Sequence, residues 1–93
     1  MNKDEFVEKM TNGQENAIGV EFDEEKDEVD VVYDVTDPDT GEYDPLLVID
    51  TANIANELKI HDKLLSLNFY EDGSSRYARL CLKIDITDSD FVL

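Results

Sequence analysis

Only one cysteine, Cys81, occurs in this sequence, and with no partner for it the chain makes no intramolecular disulfide. That usage belongs to a reducing compartment, not to a disulfide-stapled secreted scaffold. Histidine is as scarce: His61 and Cys81 stand 20 residues apart, too thin a ligand set for a tetrahedral zinc site. Long apolar runs are missing. The longest wholly apolar stretch is LLVI, Leu46 to Ile49, against the ~20 residues needed to span a bilayer. The opening MNKDEFVEKM lacks the apolar segment of a signal peptide, so a cytoplasmic location is the expectation. The sequence holds no Asn-x-Ser/Thr acceptor, no internal repeat, no Pro- or Ser-rich linker and no Gly-rich phosphate loop, and no cofactor is expected.

Positive charge is scarcest of all. Eight Lys and Arg face 24 Asp and Glu, a formal net charge of −16. Solubility of a small domain asks for a magnitude of only ~2–8, and the excess costs stability through self-repulsion. Nucleic acid and anionic membranes would be repelled, so neither is an expected direct partner. A basic protein surface would be attracted. The acids are also concentrated. Residues 21–44, EFDEEKDEVDVVYDVTDPDTGEYD, hold 12 acids and one base, Lys26, while the other 69 residues hold 12 acids and 7 bases.

What remains is enough to fold. Hydrophobic residues make up 41% and charged residues 34% of a chain whose length fits one domain, residues 1–93. KDEFVEKM places Phe6, Val7 and Met10 on one face of a short helix, with Asn12–Gly13 as its stop. AIGVEF puts Ile18, Val20 and Phe22 on one side of a strand, and VDVVYDV does the same with Val29, Val31, Tyr33 and Val35. Asp23 to Glu28 is then a charged hairpin tip. TDPDTGE reads as a turn, with Pro38 presetting φ and Gly41 supplying φ > 0. LLVID reads as a third strand with Pro45 near its start, and DTANIANELKI as a helix capped by Asp50 or Thr51.

LLSLNFY and RYARLCLKIDIT make a second hairpin around EDGSS, with Leu65, Leu67 and Phe69 alternating in one strand and Ala78, Leu80, Leu82, Ile84 and Ile86 in the other. The second of these is the longest and most regular strand and is placed centrally. The tail DSDFVL packs through Phe91 or frays. The fold class expected is α+β, an antiparallel sheet of about five strands with one or two short helices on one face.

Candidate chemistry is thin. A calcium loop begun at Asp37 would need an acid at position 5, Gly at 6 and Glu at 12, where this chain has Gly41, Glu42 and Val48. His61 sits in the polar run KIHDK. Cys81 shares a strand face with Arg79 and Lys83, whose charges would lower its pKa. Those bases are expected mainly to pair with acids on a neighbouring strand. No catalytic residue is assigned, no metal site is assigned, and the chain is read as non-enzymatic.

The acidic stretch carries the functional reading. The candidate partner-binding residues are Glu21, Asp30 and Asp34 on the strands, Asp23, Glu24, Glu25, Asp27 and Glu28 at the hairpin tip, and Asp37, Asp39, Glu42 and Asp44 in the following turn. On one strand, alternate carboxylates stand ~6.7 Å apart, while duplex DNA presents one charge per ~1.7 Å of axis. A folded array of acids can therefore occupy a cleft built for phosphates, as phage and mobile-element DNA-mimic inhibitors do against nucleases and other DNA-binding proteins. Two other classes compete. One is an immunity protein or antitoxin that neutralises a basic toxin. The other is a structural or adaptor subunit, which calls for a sizeable exposed apolar patch.

Overall fold

The computed structural model describes residues 16–87 and, before them, Glu5 and Glu8. Four strands and one helix follow in the order β1 (Ala17–Asp23), β2 (Glu28–Asp34), α1 (Pro45–Ile60), β3 (Leu64–Asp72) and β4 (Tyr77–Asp85). The sheet is antiparallel throughout, in the order β1-β2-β4-β3. The class is α+β, with four strands rather than about five and, among the described residues, one helix described over its full length, Pro45–Ile60. Glu5 and Glu8 are helical; Phe6, Val7 and Met10 of the expected first helix, and the tail DSDFVL, lie outside the described residues.

Alternation made the two central strands. Val29, Val31, Tyr33 and Val35 from the β2 segment are buried, as are Ala78, Leu80, Leu82 and Ile84 of β4. Register aligns them: Val29 lies opposite Ile84, Val31 opposite Leu82 and Tyr33 opposite Leu80. Val20 and Phe22 pack against the same cluster from β1. Ile18 does not, because a register irregularity between Ala17 and Gly19 breaks the alternation and leaves it 53% exposed.

The two hairpin turns share one construction. Asp23 Oδ1 accepts the N–H groups of Glu25 and Lys26 at 3.2 and 3.3 Å, and Asp72 Oδ1 accepts those of Ser74 and Ser75 at 3.0 and 3.2 Å. Four residues after each aspartate the chain enters the left-handed region, at Asp27 (φ 51°) and Arg76 (φ 56°). The aspartate side chain thus supplies the turn's acceptor before the backbone closes it. The Ser74 hydroxyl, followed by the two N–H groups, holds the Asp72 carboxyl below its ordinary pKa.

The stretch expected to be the third strand is the start of the helix. Asp44 is the N-cap, its Oδ1 accepting from Leu46 N at 2.9 Å, and Pro45 takes the first helical position, where its missing N–H costs nothing. LLVI looks like a buried strand only in isolation. Within Pro45–Ile60, Leu47, Thr51, Ala55 and Leu58 recur at helical spacing and face the sheet, with Thr51, Ala55 and Leu58 buried. Thr51 is therefore an interior residue and not a cap; its Oγ1 donates to Leu47 O at 3.0 Å. The helix ends in a Schellman arrangement, Lys63 N to Leu58 O at 2.8 Å and Asp62 N to Lys59 O at 3.1 Å, with Asp62 at φ 57°.

Burial of Tyr33 has a measurable consequence. Loss of solvent pushes its phenol pKa from 10.0 up to about 12. The fold binds the proton more tightly than the unfolded chain does. Tyr33 therefore contributes stability that is fully present below pH 10 and is lost as pH rises towards about 12. A shift of this size corresponds to at most about 3 kcal/mol. Urea unfolding across that range should show a smaller alkaline loss in Tyr33→Phe than in the parent; equal losses would mean that Tyr33 plays no part.

Candidate functional site

The helix packs on β3 and β4 from one side of the sheet, and the acids line the other side. Because Phe22, Val29 and Ile84 point to the helix side, their neighbours Asp23, Glu28 and Asp85 point away from it. The register sets these three abreast: Asp23 opposite Glu28, and Glu28 opposite Asp85. The next outward row runs Glu21, Asp30, Lys83, Ser66 across the four strands. Five carboxylates and one ammonium thus share one end of the outer face. Neighbouring strands lie ~4.8 Å apart and rows ~6.7 Å apart. The turn between β1 and β2 adds Glu24, Glu25 and Asp27, all exposed.

Directly opposed like charges destabilise a sheet by up to ~1 kcal/mol per pair. Here Glu21–Asp30, Asp23–Glu28 and Glu28–Asp85 are all acid on acid. Nothing in the packing of the core requires this, since every one of these residues lies on the outer face. Screening salt should accordingly raise the melting temperature; a melting temperature that falls with added sodium chloride would show the acids to be net stabilising.

The twelve candidate residues do not form one array. Glu21, Asp23, Glu24, Glu25, Asp27, Glu28 and Asp30 gather at the β1–β2 turn. Asp34, Asp37, Asp39, Glu42 and Asp44 lie at or beyond the other end of β2, ~20 Å away at the rise of a strand. Much of that second group is occupied by the fold. Asp34 accepts from Arg79 Nη1 at 2.9 Å and from Thr36 N at 3.0 Å. Asp37 Oδ1 accepts from Asp39 N at 2.9 Å, and Asp44 caps the helix. The loop closes through Asp37 N to Glu42 O at 2.7 Å and Gly41 N to Asp37 O at 2.8 Å, with Gly41 at φ 75°. A Cβ on Gly41 would lie 2.6 Å from Arg76 Nε, so glycine serves here both for its φ and for its size.

Asp85 joins the first group although nothing in the composition of its segment marks it. Its period-two position next to Ile84 predicts an outward side chain, but only the β2–β4 register brings it beside Glu28. The Thr87 hydroxyl and N–H hold its carboxyl below the ordinary pKa. The expected pairing of strand bases with neighbouring acids holds at Arg79–Asp34, and Lys83 lies opposite Asp30. Arg79 also sits 4.9 Å from the centre of the Tyr77 ring.

Cys81 corrects an expectation. Burial, and then the negative charge of Asp30, raise its thiol pKa, and Lys83 offsets them only in part. The thiol lies in a shallow cleft of about 330 Å³ on the outer face, bordered by Glu21, Asp30, Lys83 and Tyr70. Among the described residues no group of three or more His, Cys, Asp or Glu is arranged to hold a metal ion, and no helix is long and apolar enough to cross a membrane.

No protein-family model matches the chain, and neither a curated protein nor a solved structure matches it.

Proposed function

We propose that this chain is a non-enzymatic protein that binds a basic protein surface through the acidic end of its outer sheet face. The observation that carries the reading is the register of β1, β2 and β4, which sets acids directly opposite acids at Glu21–Asp30, Asp23–Glu28 and Glu28–Asp85. Folding gains nothing from that arrangement, whereas a partner supplying Lys or Arg side chains would relieve it. The cleft of about 330 Å³ bordered by Glu21, Asp30 and Lys83 would give a partner side chain an entry beside the two carboxylates.

The specific form of the proposal is a DNA mimic. A two-dimensional set of carboxylates ~5 by ~7 Å apart offers a phosphate-binding cleft in a nuclease or other DNA-binding protein a rigid substitute for backbone charge. Phage or mobile-element inhibitors of host defence enzymes work by this logic. Capture from host lysate at low salt, followed by elution with a salt gradient and with duplex DNA, tests it. The expected result is one nucleic-acid-binding protein that duplex DNA displaces. A small basic toxin that DNA does not displace would instead identify an immunity protein or antitoxin.

One observation favours the adaptor reading. Leu46, Ile49 and Ile60 on the helix, Leu67 and Phe69 on the helix side of β3, and Tyr43 in the loop before the helix are all about half exposed or more. A captured partner whose binding is insensitive to salt and lost on substituting these residues would make the chain a subunit of an assembly.

A further inference from the structure

The two edges of the sheet are not alike. The β1 edge carries Glu21 and Asp23, and its regular pairing is interrupted between Ala17 and Gly19, both devices that discourage edge-to-edge association. The β3 edge has a similar irregularity, between Leu64 and Ser66, but carries its acids, Glu71 and Asp72, only at its close. Residues 64–70, LLSLNFY, hold no charge, and the strand runs regularly from Ser66 to Asp72 after an irregularity at its start. Leu67 and Phe69 lie opposite Leu82 and Leu80 on the helix side, yet they remain 47% and 49% exposed. The helix reaches β3 and β4 without covering them. Tyr43, itself 50% exposed, meets the edge of Phe69 at 6.1 Å between ring centres. An edge strand turns alternate N–H and C=O groups outward, so this strand offers both main-chain bonds and apolar side chains.

We propose that β3 is the interface of a two-fold symmetric dimer, in which the β3 strands of two copies pair antiparallel about Asn68. Charge selects a second copy as the occupant. Residues 1–50 hold 17 acids and 3 bases, while residues 51–93 hold 7 acids and 5 bases, so β3 belongs to the nearly neutral half of the chain. Pairing through it puts the acidic β1–β2 ends at opposite extremes of an eight-stranded sheet. The two β2 strands would stand five strand spacings apart, ~24 Å, about three Debye lengths at physiological salt. Their repulsion is therefore mostly screened. The strand also has charges of opposite sign at its two ends, Lys63, which also acts on Asp85, before it and Glu71 and Asp72 at its close. Antiparallel pairing brings the start of one copy to the end of the other. Centred on Asn68, the register sets Leu67 opposite Phe69 of the second copy on the helix side and Ser66 opposite Tyr70 on the outer side, each a smaller residue facing a larger one. Such a dimer would display two acidic faces.

Sedimentation of the full chain over a concentration series, at low and at physiological salt, tests this. The expected result is a reversible rise from 10.6 kDa to twice that mass. Leu67→Lys and Phe69→Lys should raise the dissociation constant ~30-fold or more, and Leu46→Lys, on the exposed side of the helix, should not change it. Circular dichroism of each variant separates loss of pairing from loss of fold. Asn68→Cys, made with Cys81→Ala because Cys81 lies opposite Asn68 in the sheet, should form a cross-linked dimer on mild oxidation, while Ser74→Cys in the same background should not. A chain that stays monomeric at every concentration, or a dimer lost with Leu46→Lys but kept with folded Leu67→Lys, would overturn the proposal. A monomer would leave the acidic-face reading standing, because that reading rests on the carboxylate rows of β1, β2 and β4 and not on pairing through β3.

Discussion

Leu58→Ala should lower the unfolding free energy by about 3 kcal/mol, read as a fall in the urea midpoint at unchanged slope. Leu58 is fully buried and enters the core from the last turn of the helix, packed in one cluster with Ala55, Leu80 and Leu82. Its carbonyl also accepts the Schellman bond from Lys63, so the backbone around it is pinned and collapses little into the space left behind. A domain of this size has about 5 kcal/mol in total, and here self-repulsion draws on that margin. The variant should thus keep only about 2 kcal/mol and melt well below the parent. A loss below about 1 kcal/mol would mean that the helix packs loosely on the sheet.

The second large effect separates binding from stability. Glu21→Lys, Glu25→Lys and Glu28→Lys together should weaken partner binding at least ~100-fold, while Asp50→Lys with Glu57→Lys, on the exposed side of the helix, should change it little. The milder changes Glu21→Gln and Glu28→Gln should weaken binding yet raise stability by about 0.5 kcal/mol each, because each removes a carboxylate set opposite another. Opposite movement of the two quantities is what a binding surface maintained against folding stability predicts. Asp34 is unsuitable for this test, since it holds Arg79 and Thr36 and its loss would act through the fold. Equal binding losses from the sheet set and the helix set would show that only net charge matters.

Local patterns in the sequence carried the parts of the fold that local physics decides. Strict alternation from Val29 to Val35 and from Ala78 to Ile84 predicts two buried-face strands, and both lie in the centre of the sheet. Asp23 and Asp72 announce their turns. The misreading of Leu46–Ile49 arose because four apolar residues fit a strand or a buried helix equally; the Asp44–Pro45 pair, an N-cap followed by a proline at the first helical position, was the deciding signal. Ile18 and Leu65 were expected on the buried side but are 53% and 48% exposed, because register irregularities fall at Ala17/Gly19, where the strand glycine was the signal, and at Leu64/Ser66, where Leu64 takes the place opposite Ile84. The same limit applied to the acids. Their number and sidedness can be read along the chain, but their rows exist only across strands. Register alone brought Asp85 to Glu28, whereas the extended run of β2 from Glu28 to Asp34 carried Asp37, Asp39, Glu42 and Asp44 to its far end.

The most direct test of the acidic face is the affinity of the captured partner measured as a function of salt. If carboxylates at Glu21, Glu28, Asp30 and Asp85 meet Lys and Arg on the partner, affinity should fall steeply from low to high sodium chloride, and Glu21→Gln with Glu28→Gln should flatten the slope. An affinity that holds constant across the same range, in parent and variant alike, would contradict the account and leave the acids as solvated surface.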